Sequence, residues 1–187
     1  MASDEELFSA YAQRKDVKAL SELIARHERR LMAFLSGLLG VAEAEDAFQE
    51  VWCKVMAKAS SYRGGVFAAY LITVARRLAI DRFRRRRELV RLDEPTEDGV
   101  SLVDELSDSL PSPARCVELK ATAVEVRESI LALPLGPRQV VLMRIEGEMA
   151  FKDIARELEV PLGTVLTWMH TATQFLKRKI GEDGDGR

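Results

Sequence analysis

"FKDIARELEVPLGTVLTWMH", residues 151–170, contains two short amphipathic helical patterns separated by a turn. The residues predicted to point inward are Ile154, Ala155, Leu158, Val165, Met169 and, just beyond the stretch, Ala172. The small side chain of Ala155 lets the second helix cross the first closely. This spacing predicts a helix-turn-helix, a unit that commonly places its second helix in the major groove of DNA.

Helical periodicity continues on both sides of this stretch, and no segment alternates as a strand does. Helices are predicted over 5–35, 41–59, 66–90, 118–133, 137–148, 150–159 and 160–180. Residues 92–117 are rich in proline, serine and acidic residues, which is typical of a flexible linker. We therefore predict an all-α chain of two small helical domains, 1–91 and 118–181, joined by an acidic linker. Residues 182–187 are predicted to form a disordered tail.

Charge is distributed unevenly along the chain. Residues 1–91 hold 17 basic and 12 acidic side chains, residues 92–118 hold one and eight, and residues 119–187 hold ten of each. A basic front, an acidic middle and a neutral back indicate three segments with different tasks.

The remaining composition bears on cofactors and location. Two cysteines, Cys53 and Cys116, and two histidines, His27 and His170, do not make a zinc site, so neither a metal nor a cofactor is expected. The amino terminus has no apolar signal segment, and no apolar run approaches the ~20 residues that span a bilayer. We expect a cytoplasmic protein with free thiols and no membrane insertion.

The segment "ARRLAIDRFRRRR", residues 75–87, contains seven arginines and one acid, Asp81. Two or three cations would suffice to complement a helix terminus, whereas seven favour contact with phosphates. Tyr62, Phe67 and Tyr70 lie just upstream. Aromatic rings beside arginines suit single-stranded nucleic acid, although burial of the same rings in a core is an equal alternative.

The other two candidate surfaces lie on the helices predicted over 41–59 and 160–180. Asp46, Gln49 and Glu50 share a polar face of the first, opposite its apolar stripe. The second contains "GTVLTWMHTAT", residues 163–173, which has neither lysine nor arginine. Because phosphate contacts dominate affinity for DNA, a reading helix without cations is unusual.

Taken in order, these motifs resemble the extracytoplasmic-function (ECF) sigma factors of bacterial RNA polymerase, in the sigma-70 family. "AEDAFQEVW", residues 44–52, is similar to the family's regions 2.1–2.2, and residues 67–87 to its regions 2.3–2.4. Residues 133–170 are similar to its region 4. The resemblance implies a transcription initiation factor whose partners are core RNA polymerase, through its β and β′ subunits, promoter DNA, and an anti-sigma factor or other regulatory protein.

The resemblance also implies roles for individual residues. Asp46, Gln49 and Glu50 would face the clamp helices of β′, and the linker would lie in the RNA exit path. Residues implied in binding and melting −10 DNA are Tyr62, Arg63, Phe67, Tyr70, Arg76, Arg77, Asp81, Arg82, Arg84 and Arg85. Residues implied in binding −35 DNA are Lys152, Thr164, Thr167, Trp168, His170 and Thr171. The sequence departs from the family where basic residues are usual, at Leu166, Trp168, Thr171 and Thr173.

Two other functions remain open from the residues. The chain could be an interaction-type regulator whose second domain docks on a partner protein, since Trp168 could anchor a protein interface as well as touch a thymine methyl. It could instead be a stand-alone helix-turn-helix regulator, which leaves the first domain unexplained. An enzyme is not expected, because the sequence has no glycine-rich phosphate loop and no nucleophile–base set.

Overall fold

The structure, a computed structural model, describes residues 2–62, 64–93 and 123–183. Most of the predicted linker, Arg63, Cys116 and residues 184–187 of the predicted tail lie outside the described residues. We refer to the described residues up to 93 as the front half and to residues 123–183 as the back half.

The described chain is helical, with a short 3-10 turn at Ala59–Ser61, and its described part contains no strand. The front half contains α1 (Asp4–Arg14), α2 (Val17–Leu39), α3 (Val41–Ala57) and α4 (Phe67–Asp93). The back half contains α5 (Ala123–Leu131), α6 (Leu135–Ile145), α7 (Phe151–Leu158) and α8 (Leu162–Asp183). The predicted all-α fold is confirmed, with α7 and α8 forming the helix-turn-helix. No helix in these three described ranges is both long and apolar enough to cross a membrane.

The predicted single helix over 5–35 is wrong, because the chain breaks between α1 and α2. Lys15 adopts a left-handed conformation with φ of 55°. Asp16 then caps α2, and its carboxylate accepts hydrogen bonds from the backbone N–H groups of Lys18 and Ala19 at 3.0 and 3.2 Å. The first backbone N–H groups of a helix have no partner within the helix, and a capping side chain such as that of Asp16 satisfies them. A new helix can therefore begin here without a glycine at the break.

The helix α1 is attached to the front half by its acidic first turn. Asp4 accepts a hydrogen bond from Arg26 at 2.8 Å and lies 2.7 Å from Nε2 of the buried His27. Glu5 accepts the backbone N–H of Phe67, the first residue of α4, at 3.0 Å. These contacts join α1, α2 and α4 around a core that contains Phe8 and Phe67.

The two halves share one continuous core, which the sequence did not predict. Leu142, Met143 and Met149 of the back half belong to the same buried cluster as Leu35 and Leu38 of the front half. Tight packing between α2 and α6 depends on a glycine, because a methyl group added at Gly37 would lie 2.8 Å from Cδ2 of Leu142.

Arg138 of α6 strengthens this junction. Its guanidinium donates to the carbonyl oxygen of Leu133 at 2.7 Å, to that of Leu131, and across the junction to that of Leu38 at 3.3 Å. A single side chain therefore satisfies carbonyls near the ends of α5 and α2. The packing fixes how the front half is placed against the helix-turn-helix.

Candidate nucleic-acid interface

The arginine-rich helix α4 buries one side and presents its cations on the others. Its buried residues are Phe67, Ala68, Leu71, Ile72, Ala75, Leu78 and Ala79. This spacing of three and four residues holds the helix against α2 and α3. Arg84 and Arg85, beyond the last buried residue, are exposed, as is Asp81. The exposed end of α4 is therefore a cationic surface that a phosphate backbone can reach.

Arg82 joins the cationic surface of α4 to the acidic surface of α3, which the sequence analysis described as separate surfaces. Its Nη2 atom donates to Asp46 Oδ2 at 2.6 Å and to Glu50 Oε2 at 2.7 Å, both on α3. The hydrogen bond from Arg82 lowers the pKa of Glu50 below its ordinary value, and burial opposes this effect only in part. Lys54 adds a second cation 3.5 Å from the Glu50 carboxylate.

The other polar residues of α3 remain accessible. The Asp46 side chain is 79% exposed even with Arg82 bound, and Gln49 and Cys53 are exposed beside it. Near the start of α3, Glu43 pairs with Arg86 of α4. The predicted polymerase-binding residues Asp46, Gln49 and Glu50 thus form one edge next to the cationic helix.

Arg76 and Arg77 both pair with residues of the back half, although the Arg77 side chain stays 64% exposed. Arg76 donates to Gln139 Oε1 at 2.8 Å and to Glu157 Oε1 at 3.1 Å. Arg77 binds both oxygens of Glu157, through Nε at 2.9 Å and Nη2 at 2.8 Å. Burial lowers the pKa of Arg76, whereas the hydrogen bond to Glu157 raises the pKa of Arg77.

The aromatic residues of the predicted −10 surface form a packed cluster. Phe67 is fully buried, with its ring centre 4.9 Å from that of Phe8, so it belongs to the core and has no free face for a base. Tyr62 and Tyr70 are half-buried, with ring centres 5.1 Å apart. Tyr62 donates its hydroxyl to the carbonyl oxygen of Gly65 at 2.5 Å, and burial raises the pKa of both tyrosines.

The helix-turn-helix presents an uncharged surface at the start of α8. Glu159 adopts a left-handed conformation with φ of 57° in the turn, where Val160 N donates to Ala155 O at 3.1 Å. Leu166, Thr167 and His170 are exposed, Thr164 and Thr171 are half-buried, and Thr173 is tied to the Met169 carbonyl oxygen. Exposed cations lie at the edges of this surface, at Lys152, Lys177, Arg178 and Lys179.

Trp168 has a structural environment that sets it apart from its neighbours on α8. A methyl group added at Gly136 of α6 would lie 2.9 Å from Cζ2 of the indole, so the ring packs directly on this glycine. The side chain is half-buried against the core cluster. Trp168 therefore contributes to the packing between α6 and α8. Leu166, which is 47% exposed, is an apolar side chain on this surface that a partner can reach.

Sequence reasoning missed the residues that connect the halves. Gln139, Glu157, Arg138 and Glu148, which pairs with Arg30, make polar contacts across the junction, and Gly37 allows α2 and α6 to approach closely. Gln139 and Glu157 lie 63 and 80 or more residues from their arginine partners in sequence, so no local pattern pairs them.

Comparison with known proteins places these features in a family. The family model described as Sigma-70 region 2 matches residues 23–88, and that described as Sigma-70, region 4 matches residues 123–176. The ECF RNA polymerase sigma factor SigW of Bacillus subtilis is 24% identical over 88% of this chain and 90% of its own length. The ECF RNA polymerase sigma factor RpoE of Cereibacter sphaeroides is 27% identical over 93% of each chain.

The fold also matches a solved structure. The sigma factor RpoE from Bartonella quintana, solved in complex with the anti-sigma factor NepR, superposes with a TM-score of 0.66 at 19% identity. The match covers 88% of this chain and 98% of that one. At this identity the likeness concerns the arrangement of the helices.

Proposed function

The chain belongs to the sigma-70 family as an ECF sigma factor, a transcription initiation factor, and on that premise we propose that it binds core RNA polymerase, recognises promoter −10 and −35 elements and helps to melt the −10 DNA. Residues 1–91 would bind the polymerase and the −10 element, and residues 118–181 the −35 element, with residues 92–117 as the linker.

The exposed edge of α3 is the proposed contact with core polymerase. Asp46 and Gln49 are exposed on it, and Glu50 lies beside them on the next turn. Because Arg82 donates to both the Asp46 and the Glu50 carboxylates, it restrains the acidic edge that would face the β′ clamp helices. This restraint reduces the side-chain entropy that binding would otherwise cost.

The −10 element is proposed to bind along α4. Arg84 and Arg85 offer exposed guanidinium groups to the backbone, and the half-buried rings of Tyr62 and Tyr70 lie toward the start of the same helix. Stacking of an unpaired base on an aromatic ring, with arginines neutralising phosphates, is sufficient to hold a strand open. Arg76 and Arg77, which pair with Glu157 in this structure, complete the proposed set of cations for the −10 element.

The −35 element is proposed to bind to the first turns of α8. The hydroxyl groups of Thr164, Thr167 and Thr171 and the imidazole of His170 are the groups that can donate to base edges or phosphates. Lys152 supplies a backbone contact from α7. Weak contacts suffice here, because a front half bound to polymerase and −10 DNA raises the local concentration of the back half at its site.

One observation carries this proposal: an acidic edge on α3, a cationic edge on α4 and an exposed helix-turn-helix surface occur together in one folded chain. The test is run-off transcription with purified core polymerase and a randomised promoter library. We expect core-dependent transcripts whose templates share two conserved elements. Absence of initiation from every template would refute the proposal.

The exposed apolar side chains of Leu162 and Leu166, 38% and 47% exposed, favour a second candidate in which the back half docks on a protein. An anti-sigma factor is the proposed partner, by analogy with the complex solved for the Bartonella protein. The same library separates the candidates, because docking on a protein predicts transcripts that require a conserved −10 element but no conserved −35 element.

A further inference from the structure

The start of α4 is held by a side chain from another helix. Glu5 Oε1, on α1, accepts a hydrogen bond at 3.0 Å from the backbone N–H of Phe67, the first residue of α4. The first N–H groups of a helix have no partner within that helix. Residues 63–66 read RGGV and include no serine, threonine, aspartate or asparagine, the residue types that cap a helix with their own side chains. A carboxylate from α1 therefore replaces a local capping residue, and we call this contact the Glu5 cap.

Charge strengthens the Glu5 cap. The hydrogen bond from the Phe67 backbone is the main reason that the pKa of Glu5 lies below its ordinary value, so the side chain is ionised at neutral pH. A carboxylate at the amino end of a helix interacts favourably with the helix dipole. A hydrogen bond to an ionised acceptor is also stronger than one between neutral groups. The cap is thus a strong contact at the point where the loop from Tyr62 enters α4.

The loop before α4 needs such a restraint. Gly64 and Gly65 adopt φ values of 90° and 97°, a region that glycine enters readily but at a high cost in backbone entropy. Two consecutive glycines give the loop little stiffness of its own. The Tyr62 hydroxyl donates to the carbonyl oxygen of Gly65 at 2.5 Å, and the Glu5 cap holds Phe67 two residues further on. Together these contacts restrain both sides of the glycine pair.

The same face of α1 supports the aromatic rings beside this loop. Phe8 lies three residues after Glu5, so the two side chains are neighbours on the helix. The Phe8 ring is fully buried, with its centre 5.1 Å from that of Tyr62 and 6.1 Å from that of Tyr70. The charge of Glu5 adds to the effect of burial in raising the pKa of Tyr62, which places the carboxylate near this ring. Thus α1 positions both the loop and the tyrosines of the proposed −10 surface.

We propose that Glu5 is a positioning residue for base recognition: acting through the N–H of Phe67, it holds the loop of Tyr62, Gly64 and Gly65 in a shape that prefers one base at one position of the −10 element. A restrained loop discriminates because a wrong base would have to displace it, whereas a loose loop adapts to any base. The part of this inference that concerns bases rests on the proposed function; the cap itself does not.

Two measurements test the inference, with Glu5→Ala as the variant. In the full-length protein, hydrogen exchange of the Phe67 amide, followed by NMR, reports the cap directly, and we expect it to become about tenfold faster or more. In holoenzyme assembled with core polymerase, run-off transcription compares a selected promoter with its single-base variants at each −10 position. We expect the preference at one position to fall about tenfold, with the other positions and the affinity for core polymerase unchanged.

Glu6→Ala is the matched control, because it truncates the same residue type at the neighbouring position. Glu6 caps only its own helix, where its Oε2 atom accepts the Ser3 backbone N–H at 2.8 Å. We expect wild-type exchange at Phe67 and a wild-type −10 preference. Equal effects of Glu5→Ala and Glu6→Ala would assign both to fraying of α1 and overturn the proposal.

Glu5→Gln is the conservative variant, since its amide oxygen can still accept the Phe67 N–H. We expect it to restore most of the slow exchange and most of the base preference. A Glu5→Gln protein as impaired as Glu5→Ala would overturn the hydrogen bond as the cause.

The remaining outcomes separate the cap from the proposed function. Fast exchange at Phe67 with an unchanged base preference, or a preference lost equally at every −10 position, would overturn the positioning role. Absence of initiation by the wild-type holoenzyme would refute the proposed function and with it the role in base preference, while exchange at Phe67 would still decide whether the cap exists.

Discussion

Leu166 and Trp168 lie two positions apart in α8, and their environments differ. Leu166 is 47% exposed, whereas the Trp168 ring packs on Gly136. The unusual absence of cations from residues 163–173 thus has two explanations. The tryptophan position serves packing between α6 and α8, and the leucine position belongs to the surface that a base edge or a protein would contact.

Substitutions at these two positions should separate stability from recognition. We expect Trp168→Ala to lower the free energy of unfolding by about 2 kcal/mol, since the ring is half-buried. Leu166→Ala should change it by less than about 0.5 kcal/mol yet reduce transcription from promoters with a −35 element. Urea unfolding and run-off assays are the measurements. Gly136→Ala is the control for the packing, and a stability equal to wild type in that variant would contradict the close contact with the indole.

Asp4 gives a residue-scale prediction for pH. Burial acts to raise its pKa, but hydrogen bonds from Arg26 and His27 outweigh this effect and hold the pKa below the ordinary value of 3.8. A carboxyl with a depressed pKa in the folded state stabilises the fold above its unfolded pKa, and that contribution is lost as pH falls through the folded value. We expect Asp4→Asn to cost about 1 kcal/mol at pH 7 and to flatten the loss of stability below pH ~4.

Chemical denaturation between pH 2.5 and 7 measures this effect. Glu28→Gln, at an exposed position of α2, is the control and should preserve the wild-type profile. An Asp4→Asn profile parallel to that of wild type would show that the contacts among α1, Arg26 and His27 do not contribute to acid sensitivity.

At the scale of elements, α3 and α4 act as one unit because Arg82 binds acids on α3. The proposed polymerase contact and the proposed −10 contact therefore share a residue. Arg84 and Arg85 lie further along α4, where they are exposed. Substitution of Arg84 and Arg85 should weaken binding of DNA, whereas substitution of Arg82 should weaken binding of both DNA and core polymerase.

We expect the double variant Arg84→Ala/Arg85→Ala to reduce open-complex formation about tenfold or more, at roughly 1 kcal/mol or more for each lost phosphate contact, with unchanged affinity for core polymerase. Arg82→Ala should weaken both, since Asp46 and Glu50 lose their shared donor. Permanganate reactivity of −10 thymines measures melting, and fluorescence titration measures core binding. Loss of core binding in the double variant would contradict this division between the two partners.

The elements themselves were largely predictable, and their pairings were not. Periodicity identified α2 to α4 and α6 to α8 because each buries one face. The break at Lys15–Asp16 was not predicted, because the helical pattern is interrupted there by an aspartate cap and not by the glycine that usually marks a helix end. Phe67 was proposed as a stacking residue because aromatic residues near arginines look alike in sequence, whether buried or free. The pairing of Arg76 and Arg77 with Glu157 arises only when the halves pack together.

At the scale of the whole molecule, the shared core predicts that the back half depends on the front half. Leu142, Met143 and Met149 pack in a cluster that includes front-half residues, so separation exposes apolar surface. We expect a fragment of residues 118–187 to melt at least about 5 °C below the full-length chain, as the loss of 1 kcal/mol or more implies for a small domain. Calorimetry of both proteins at equal concentration is the measurement. An equal or higher melting temperature for the fragment would indicate that the halves fold independently.

The placement of exposed cations on α7 and α8 sets the salt dependence expected for the proposed −35 contact. The exposed cations of α7 and α8 are Lys152, Arg156, Lys177, Arg178 and Lys179; Arg156 pairs with Asp153 within α7, which leaves four for phosphate contact. Each neutralised phosphate contributes about −0.9 to the slope of log K against log salt, so four contacts limit the slope to about −4. We expect duplex −35 DNA to bind the full-length protein with a slope no steeper than this. Lys152→Ala should make the slope shallower by about 0.9, while Lys58→Ala in the front half should leave it unchanged. A slope much steeper than −4, unaffected by Lys152→Ala, would mean that the front-half arginines bind the duplex and that α8 contributes little to holding it.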